Sequence, residues 1–398
     1  MGSESVLPLL RNTMLRFVEL GLSKTKHIFL HCDELEEYCY PEACPFNIAR
    51  AGKVRKTLAS MGILSGSDRS MVAPAAADED VLLKYHETIY LDVLQAAAGG
   101  GFEVDMLNYG LGTGDCPVFK GMYDYARLAV GATVTGAKHI IEGDTQIAFN
   151  PSGGYHHAFE ARAAGFCYLN DVALGCMVLA EAGMKVLYLD VDVHHGDGVQ
   201  HAFYNRKDVM TISTHQTGKT LFPGTGHVDE IGAGDGVGYS VNVPLWPGTY
   251  DLAYMRAFRE AVLPVAKAFE PDVIVMEIGA DGLAGDPLAG LQLTNKVYVD
   301  VIDAMRAFNK PILAVGGGGY NVENTVRAWS LCWAALCDDL TGEENIGMGG
   351  VMMESTDWLG GLKDRKLVVS EEQIETIEPA IDEVIEAIKK TIFPIHGI

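Results

Sequence analysis

Short runs of apolar, often β-branched residues alternate along the chain with longer segments whose apolar positions recur every three to four residues. The short runs predict strands at residues 27–32, 147–150, 186–193, 209–214, 273–278 and 312–315. The longer segments predict helices at residues 171–182, 251–269, 295–308 and 322–336, with a kink near Pro264. Most of the runs are apolar on both faces, which is typical of parallel strands covered by helices. The order therefore predicts an α/β fold, with one mostly parallel, doubly wound sheet flanked by helices.

Nothing in the sequence divides the chain into separate units. No Pro/Ser-rich linker, low-complexity tract or internal repeat separates its halves, so we expect a single domain over residues 1–398. Residues 345–398 form an extension, in which residues 371–392 place isoleucines at helical spacing. This pattern predicts a helix that packs on the body, and a helix that binds a partner is the alternative.

Composition narrows the classes of partner and compartment. The 30 basic and 53 acidic side chains give a formal net charge of −23. Such a surface repels phosphate backbones, so nucleic acid is not expected as a direct ligand, and basic partners are favoured. Eight cysteines without CxxC spacing are typical of reduced thiols. The sequence shows neither a signal peptide nor an apolar run long enough for a bilayer, so we expect a cytoplasmic protein without membrane contact.

Polar residues directly follow four of the predicted strands. His156 and His157 follow the second strand, residues 190–197 overlap the end of the third, and Asp281 and Tyr320 follow the fifth and sixth. Because ligands collect at the carboxyl ends of parallel strands, we expect these side chains to meet at one edge of the sheet.

The segment 190–197 reads Asp-Val-Asp-Val-His-His-Gly-Asp and predicts a metal site. Alternation along an extended strand places Asp190, Asp192 and His194 on one face, and buried polar groups in such a row need partners. Aspartate and histidine are ligands of Zn²⁺ and Fe²⁺, and a catalytic zinc keeps three protein ligands. Asp192 and His194 supply two ligands, with Asp281 as the natural third. A solvated loop with satisfied carboxylates is the alternative.

If those three residues hold a metal, His156 and His157 remain free for proton transfer. Each histidine needs a carboxylate on its second ring nitrogen, and Asp190 and Asp197 are left for that purpose. Two core histidines bonded to backbone are the alternative. A run of four glycines precedes Tyr320, whose phenol could stabilise an oxyanion, although a tyrosine at a loop end is more often structural.

Several strings of the sequence recur together in one known family. They are Gly-Tyr-His156-His157-Ala, Gly165-Phe166-Cys167-Tyr168-Leu169-Asn170-Asp171, Asp190-Val-Asp192-Val-His194-His195-Gly-Asp197-Gly, Phe222-Pro-Gly-Thr-Gly226, Gly279-Ala-Asp281, Gly285-Asp-Pro287 and Gly316-Gly-Gly-Gly-Tyr320. Through them the chain resembles the zinc-dependent histone deacetylases, in the class I-like group that includes bacterial acetoin-utilisation deacetylases. The resemblance covers about residues 27–340, whereas residues 1–26 and 345–398 match no motif of the family.

The resemblance implies an arginase/deacetylase-type fold and hydrolysis of an N-acetyl amide, typically acetyl-lysine in proteins or peptides. It implies Asp192, His194 and Asp281 as ligands of Zn²⁺, with Fe²⁺ as the alternative metal. His156 and His157 match the acid/base pair, backed by Asp190 and Asp197 respectively, and Tyr320 matches the tyrosine that hydrogen-bonds the substrate carbonyl. The implied substrate-binding positions are Asp115, Gly165, Phe166, Phe222 and Leu288, and Arg50 falls where the family places an arginine in its inner channel.

The resemblance also implies structural K⁺ ions. One site would use Asp190, Ser213 and the carbonyls of Asp192, His194 and Thr214. A second would use carbonyls around Phe203, Arg206, Val209 and Tyr239.

The sequence departs from the family at some positions and leaves rival functions open. Cys44-Pro45-Phe46 stands where many bacterial relatives carry His-Pro, and Tyr155 stands where many class I members have tryptophan. A dinuclear ureohydrolase would need a carboxylate where Leu283 stands. Acetylpolyamine hydrolysis and a non-catalytic acyl-lysine-binding scaffold are two further rival functions, and a homo-oligomer is compatible with the sequence.

Overall fold

The protein is built around one sheet of parallel strands. The structure, a computed structural model, describes residues 27–340 and 361–398. The sheet contains eight strands in the order β2-β1-β3-β8-β7-β4-β5-β6, and every neighbouring pair is parallel. The strands are β1 His27–Leu30, β2 Arg69–Val72, β3 Ile147–Asn150, β4 Val186–Asp190, β5 Val209–Gln216, β6 Ser240–Leu245, β7 Val273–Glu277 and β8 Ile312–Val315.

Helices cover both faces of this sheet. In chain order they are α1 Ala49–Ser60, α2 Glu79–Leu82, α3 Thr88–Ala97, α4 Met122–Ile141, α5 Asp171–Glu181, α6 Asp197–Phe203, α7 Asp251–Ala257, α8 Leu263–Phe269, α9 Lys296–Arg306, α10 Val322–Leu336, α11 Glu371–Thr391 and α12 Phe393–His396. Short 3-10 turns lie at Asp33–Glu36, Val104–Tyr109 and Gly234–Gly236. The α/β class and the parallel sheet predicted from the sequence are confirmed.

The prediction missed the two edge strands. β2 is only partly covered and carries polar positions, as an edge strand can, whereas β6 is buried but its apolar run is interrupted by Ser240, Asn242 and Pro244. The predicted helix 251–269 is continuous and contains a π-helical turn at Phe258–Val262, in the turn that directly precedes Pro264. Proline has no N–H to donate to the preceding turn and disturbs a helix there, so the irregularity lies where the sequence predicts one.

The strand register brings the carboxyl ends of the central strands level with one another. Asp190 of β4 lies opposite Glu277 of β7 and Ser213 of β5. Val315 of β8 in turn lies opposite Glu277 and Asn150 of β3. The loops that leave β3, β4, β7 and β8 therefore start from one edge of the sheet, and they carry the polar residues that the sequence singled out.

The C-terminal helix α11 packs on the body beside α7 and β6. Ser370 begins it by accepting a hydrogen bond from the Gln373 N–H at 3.1 Å. One helix face is buried, formed by Ile377, Ile381, Ile385 and Ile388, while Ile374 stays exposed. Residues 1–26 and the part of the predicted extension at residues 345–360 lie outside the described residues. Within the described ranges, no helix has both the length and the apolar character needed to cross a membrane.

Candidate active site

The three predicted metal ligands meet just beyond the ends of β4 and β7. Asp192, His194 and Asp281 are buried, and each offers one ligand atom that lies within 4.8 Å of the other two. His194 Nδ1 is 3.2 Å from Asp192 Oδ1 and 3.0 Å from Asp281 Oδ2. Two carboxylates and one imidazole are a donor set that fits Zn²⁺ or Fe²⁺ with a coordination position left open.

The reason these side chains converge differs from the one that alternation suggests. β4 ends at Asp190, so Asp192 and His194 lie in the loop after the strand and not on one strand face. Carboxylates shape this loop by accepting backbone hydrogen bonds: the Asp192 N–H donates to Asp190 at 3.0 Å, and the His194 N–H donates to Asp192 at 2.9 Å. Asp281 accepts from the Val193 N–H at 3.0 Å and so joins the two loops.

The electrostatics of the cluster show how strongly its members depend on one another. Burial raises the pKa of Asp281 to about 7, and the neighbouring Asp192 adds to that shift. Burial opposes charge on His194, but hydrogen bonds to Asp192 and Asp281 outweigh it and raise the pKa of His194 to about 10. The protein thus concentrates negative charge in a dry site, as a cation-binding site requires.

The two adjacent histidines lie beside this cluster with their ring nitrogens facing each other. His156 Nε2 and His157 Nε2 are 3.0 Å apart. His156 Nδ1 lies 3.0 Å from Asp190 Oδ2, and His157 Nδ1 lies 2.7 Å from Asp197 Oδ1. The structure therefore places Asp190 behind His156 and Asp197 behind His157, as the sequence analysis expects, and it adds Glu277, whose Oε1 also lies 3.0 Å from His156 Nδ1. A carboxylate at Nδ1 fixes the tautomer, so that Nε2 faces the reaction space.

The environments of the two rings shift their pKa values in opposite directions. Burial, together with the nearby His156, lowers the pKa of His157 to about 4. Burial also opposes charge on His156, but Glu277 and Asp190 outweigh it and raise its pKa well above the usual value. The shift of His157 favours its uncharged form, which can accept a proton, and the shift of His156 favours its protonated form. Two titratable groups held apart in this way are a common arrangement for general acid and base.

The glycine loop after β8 delivers Tyr320 to the same place. The ring centre of Tyr320 lies 6.2 Å from the ring centre of His194. The Tyr320 N–H donates to Asp286 Oδ2 at 2.7 Å, and Arg50 donates to the carbonyls of Gly319 at 2.7 Å and Gly317 at 3.0 Å. Arg50 itself is buried, with its guanidinium 4.5 Å from the Phe46 ring centre and 4.9 Å from that of Trp329. Asp286 and Arg50 thus both hold the glycine loop, through the Tyr320 N–H and through two glycine carbonyls respectively.

Aromatic residues line the approach to this cluster. The ring centre of Phe222 is 5.0 Å from that of His157, and Phe222 is 46% exposed. The ring centre of Phe166 is 5.6 Å from that of Tyr320. Gly165 packs so closely that a Cβ there would lie 2.4 Å from the His157 ring. The approach therefore carries an exposed aromatic ring at Phe222, and the backbone at Gly165 lies directly against His157.

The remaining predicted substrate-binding positions, Asp115 and Leu288, lie at the outer rim of the site, where both are at least partly exposed. Asp115 Oδ2 accepts a hydrogen bond from the Gly165 N–H at 2.9 Å, and its Oδ1 accepts from the Thr113 hydroxyl at 2.7 Å. The rim carboxylate is thus tied to the backbone that leads into Phe166. Leu288, which is 37% exposed, follows Asp286, and its N–H donates to that carboxylate at 2.9 Å. Asp286 therefore couples this rim residue to the Tyr320 loop.

The residues of the two implied cation sites lie behind the active-site loops. Ser213 and Thr214 are on β5, beside Asp190, and the Thr214 hydroxyl donates to the Asp190 carbonyl at 3.1 Å. The residues of the second set cluster where α6, β5 and β6 meet: the Phe203 carbonyl accepts from the Arg206 N–H at 2.9 Å, and the Tyr239 carbonyl accepts from the Thr211 N–H at 2.9 Å. Val209 is the first residue of β5.

Comparison with known proteins agrees with this arrangement. A histone deacetylase domain matches residues 44–336 of the chain. Histone deacetylase 8 of Xenopus tropicalis is 38% identical over 313 residues, which cover 78% of this chain and 83% of that protein. The acetoin utilization protein AcuC of Bacillus subtilis (strain 168) is 39% identical over 317 residues, which cover 78% of this chain and 81% of that protein.

The chain belongs to the histone deacetylase family.

Solved structures support the same assignment. The crystal structure of an HDAC homolog from Aquifex aeolicus matches with a TM-score of 0.79 and 30% identity, covering 92% of this chain and 100% of that chain. An HDAC homolog complexed with SAHA matches with a TM-score of 0.81, also at 30% identity and with the same coverage. The histone deacetylase family and the arginase/deacetylase-like fold predicted from the sequence are confirmed. The domain match ends at residue 336, so α11 lies beyond it.

Sequence reasoning missed three polar residues of this histone deacetylase site. Glu277 is buried at the end of β7, Tyr188 is buried within β4, and Asp286 receives the Tyr320 N–H. Burial raises the pKa of Glu277 well above its usual value. A carboxylate closing the otherwise apolar run Val-Ile-Val-Met-Glu is a signal that could have drawn attention to Glu277.

Proposed function

We propose that this histone deacetylase family member hydrolyses the side-chain amide of acetyl-lysine in proteins or peptides. One observation carries the proposal: a buried Asp–His–Asp donor set lies beside two histidines whose pKa values are shifted in opposite directions. An acid, a base and a cation-binding site at the end of one aromatic slot are the groups that amide hydrolysis needs.

The residues that would hold the metal are Asp192, His194 and Asp281, and the metal we propose is Zn²⁺, with Fe²⁺ as the alternative. When bound, such an ion polarises an amide carbonyl and acidifies a coordinated water. The donor set supports one ion and not a pair, because Leu283, where a second carboxylate would stand, is buried in the apolar core.

The protein's own side chains divide the proton transfers between them. His157, uncharged and backed by Asp197, accepts the proton of the attacking water through Nε2. His156, protonated and backed by Asp190, returns a proton to the departing amine. The Tyr320 hydroxyl donates a hydrogen bond to the carbonyl oxygen as negative charge develops on it. The short distances between the two rings and from each ring to its carboxylate support this division of roles.

The shape and charge of the approach favour a lysine side chain. Phe166 and Phe222 offer apolar faces to an aliphatic stem, and Asp115 lies at the rim. The net charge of −23 attracts basic sequence around the acetylated residue.

We further propose K⁺ as a structural ion at the two sets of residues described above. We also propose a cytoplasmic location, because all eight cysteines are free thiols.

The proposal is tested by assaying acetyl-lysine peptides and acetylated polyamines side by side, with metal analysis of the same preparation. We expect turnover of the peptides, with catalytic metal content near one Zn²⁺ or Fe²⁺ per chain. Asp192→Asn is the matched control, since it keeps the size of a ligand and removes its charge. Exclusive turnover of acetylated polyamines would assign a different substrate class, and binding of acyl-lysine without any turnover would identify a non-catalytic reader.

A further inference from the structure

Gln216 is a buried polar residue that the proposed chemistry does not use. It is the last residue of β5 and is 5% exposed. Its backbone N–H donates to the Val193 carbonyl at 2.8 Å, within the loop that carries two of the proposed metal ligands. The sheet and that loop therefore fix the backbone of Gln216, and its side chain starts from a rigid position.

Two loops that carry predicted substrate-binding residues lie beside Gln216. The Phe222 loop comprises residues 217–226 and follows β5 directly, whereas the Leu288 loop comprises residues 286–290 and lies beyond β7. Because the two loops are far apart in the chain, only contacts across the fold can set the position of one relative to the other.

The side-chain amide of Gln216 makes such a contact with each loop. Its Oε1 accepts a hydrogen bond from the Gly290 N–H at 2.8 Å, at the end of the Leu288 loop. Its Nε2 donates to the Thr220 hydroxyl at 3.1 Å, in the Phe222 loop. One buried side chain therefore joins the two loops to each other and to the edge of the sheet.

Only one orientation of this amide satisfies both contacts. The Gly290 N–H can only donate, so the amide oxygen faces it and the amide nitrogen faces Thr220. The Thr220 hydroxyl accepts from that nitrogen and donates its own hydrogen to the Thr217 carbonyl at 3.2 Å. Rotation of the amide would break both bonds and leave buried polar atoms unpaired, which is costly.

The Phe222 loop is compact, so a contact at Thr220 also fixes Phe222. The Thr220 N–H donates to the Thr217 carbonyl at 2.9 Å. A Cβ on Gly218 would lie 2.5 Å from the Thr225 carbonyl oxygen, which shows that the two ends of the loop touch. A loop closed in this way moves as one piece, because its backbone has little room to adjust internally.

The Leu288 loop is held at both of its ends. At one end, Asp286 Oδ1 accepts from the Leu288 N–H at 2.9 Å. At the other end, Gly290 packs so closely that a Cβ there would lie 3.3 Å from Gln216 Oε1 and 3.2 Å from the Pro247 side chain. Loss of the Gln216 amide would therefore release one end of this loop and the Phe222 loop together.

We propose that Gln216 is a positioning residue that holds the Phe222 loop against the Leu288 loop and thereby sets how tightly the site grips the stem of acetyl-lysine. The inference rests on the proposed function, since it gives the two loops a common substrate. Gln216 acts through the loops and not on the reacting atoms. Its loss weakens binding of the substrate and of the transition state alike, which raises KM and leaves kcat unchanged.

Two substitutions remove the contact from opposite sides. Gln216→Met keeps the length of the side chain and removes both hydrogen bonds. Thr220→Val removes one hydroxyl at an exposed position, so it keeps a test available if Gln216→Met does not fold. Thr391→Val is the matched control, because the Thr391 hydroxyl donates to the Ala387 carbonyl at 2.8 Å within α11.

The first measurement is steady-state kinetics of the metal-loaded protein on an acetyl-lysine peptide. We expect KM to rise about 10-fold in Gln216→Met and about 3-fold in Thr220→Val, with kcat within about 2-fold of the parent and metal content unchanged. Thr391→Val should match the parent in both constants. A parent-like KM in Gln216→Met, or in Thr220→Val if Gln216→Met does not fold, would overturn the proposal. A fall in kcat at constant KM would overturn it as well.

A second comparison shows whether Gln216 acts through Phe222. In a Phe222→Ala background, we expect Gln216→Met to change KM by at most about 3-fold, because the ring that Gln216 positions is already absent. An equal rise in KM in both backgrounds would assign Gln216 a general structural role and overturn the proposal.

A third measurement does not depend on turnover. Hydrogen exchange of the Gly290 N–H should be faster in Gln216→Met than in the parent, and it should keep the parent rate in Thr220→Val, where Gln216 Oε1 still accepts. If the parent fails to hydrolyse acetyl-lysine, the proposed function falls, while this rate still decides whether Gln216 holds the loop. An unchanged exchange rate in Gln216→Met would contradict the contact independently of activity.

Discussion

The carboxylate of Asp192 accepts a hydrogen bond from the backbone N–H of Gly318 at 2.6 Å. This contact joins the loop after β4, which supplies two of the proposed metal ligands, to the loop after β8, which carries Tyr320. The approach is so close that a Cβ on Gly318 would lie 1.9 Å from Asp281 Oδ2 and 3.0 Å from Asp192 Oδ2. The metal ligands and the glycine loop therefore form one packed unit.

Replacing Gly318 with alanine should disrupt the proposed metal site as well as the tyrosine loop. The added methyl group displaces the Asp281 carboxylate, so we expect Gly318→Ala to bind metal more weakly and to lose at least about 10-fold in turnover. Metal titration and kinetics measure both effects. Gly101→Ala is the control, because a Cβ at Gly101 meets no atom within 4 Å. Full metal affinity in Gly318→Ala would contradict the geometry.

The Tyr320 hydroxyl should be needed for chemistry and not for metal binding. Tyr320→Phe keeps the ring that packs against Phe166 and removes the hydrogen-bond donor, so we expect kcat to fall by about 10²-fold or more with metal content unchanged. Kinetics and metal analysis of one preparation test this. Turnover at the parent rate would leave Tyr320 without a role in the reaction.

The histidine pair should act on protons and should not ligate the metal. We expect His157→Ala to lose about 10²-fold to 10⁴-fold in kcat while the metal stays bound. Asp197→Asn should reproduce part of that loss, because an amide can orient the ring but stabilises an imidazolium less than a carboxylate does. Metal stoichiometry beside kcat is the decisive readout. Loss of the metal together with activity in His157→Ala would show that His157 is a ligand.

Removal of the metal should destabilise the folded protein. Without the ion, the buried side chains of Asp192, His194 and Asp281 lose the partner that they share. An ion that binds only the folded state also stabilises that state by mass action. We expect chelation to lower Tm, and Zn²⁺ to restore it with one equivalent per chain. Asp192→Asn should show little response to either treatment. Restoration that requires two equivalents would support a dinuclear site instead.

The sequence predicted the central strands because their residues are apolar on both faces, as for Val186–Asp190 and Ile312–Val315. It missed β2 because that strand is short and only partly buried, and it missed β6 because polar residues and a proline interrupt the apolar run of a buried strand. β2 reads Arg-Ser-Met-Val, and β6 contains Pro244, which a central strand would not tolerate. Such segments become strands through pairing with β1 and β5, a tertiary effect that local patterns do not contain.

The candidate site was predicted more fully in its residues than in its contacts. Asp192, His194 and Asp281 follow strand ends, and the strand-end rule is sufficient to group them. The contacts between Asp286 and the Tyr320 N–H, and between Glu277 and Tyr188, depend on register and on loop paths. These features come from packing between distant segments, and spacing along the chain does not specify them.

The strand order has a consequence for synthesis of the protein on the ribosome. Among the described residues, β7 and β8 are the last strands to be made, yet they occupy the centre of the sheet between β3 and β4. Before β7 has emerged, the described strands can form only two separate three-stranded blocks, β2-β1-β3 and β4-β5-β6, each with an apolar edge open to pairing. β7 can then extend the second block, but the two blocks join only when β8 pairs with both β3 and β7. Chains terminated before β7 should therefore aggregate or remain bound to chaperones, and the reactive centre can form only once the central strands join the two blocks.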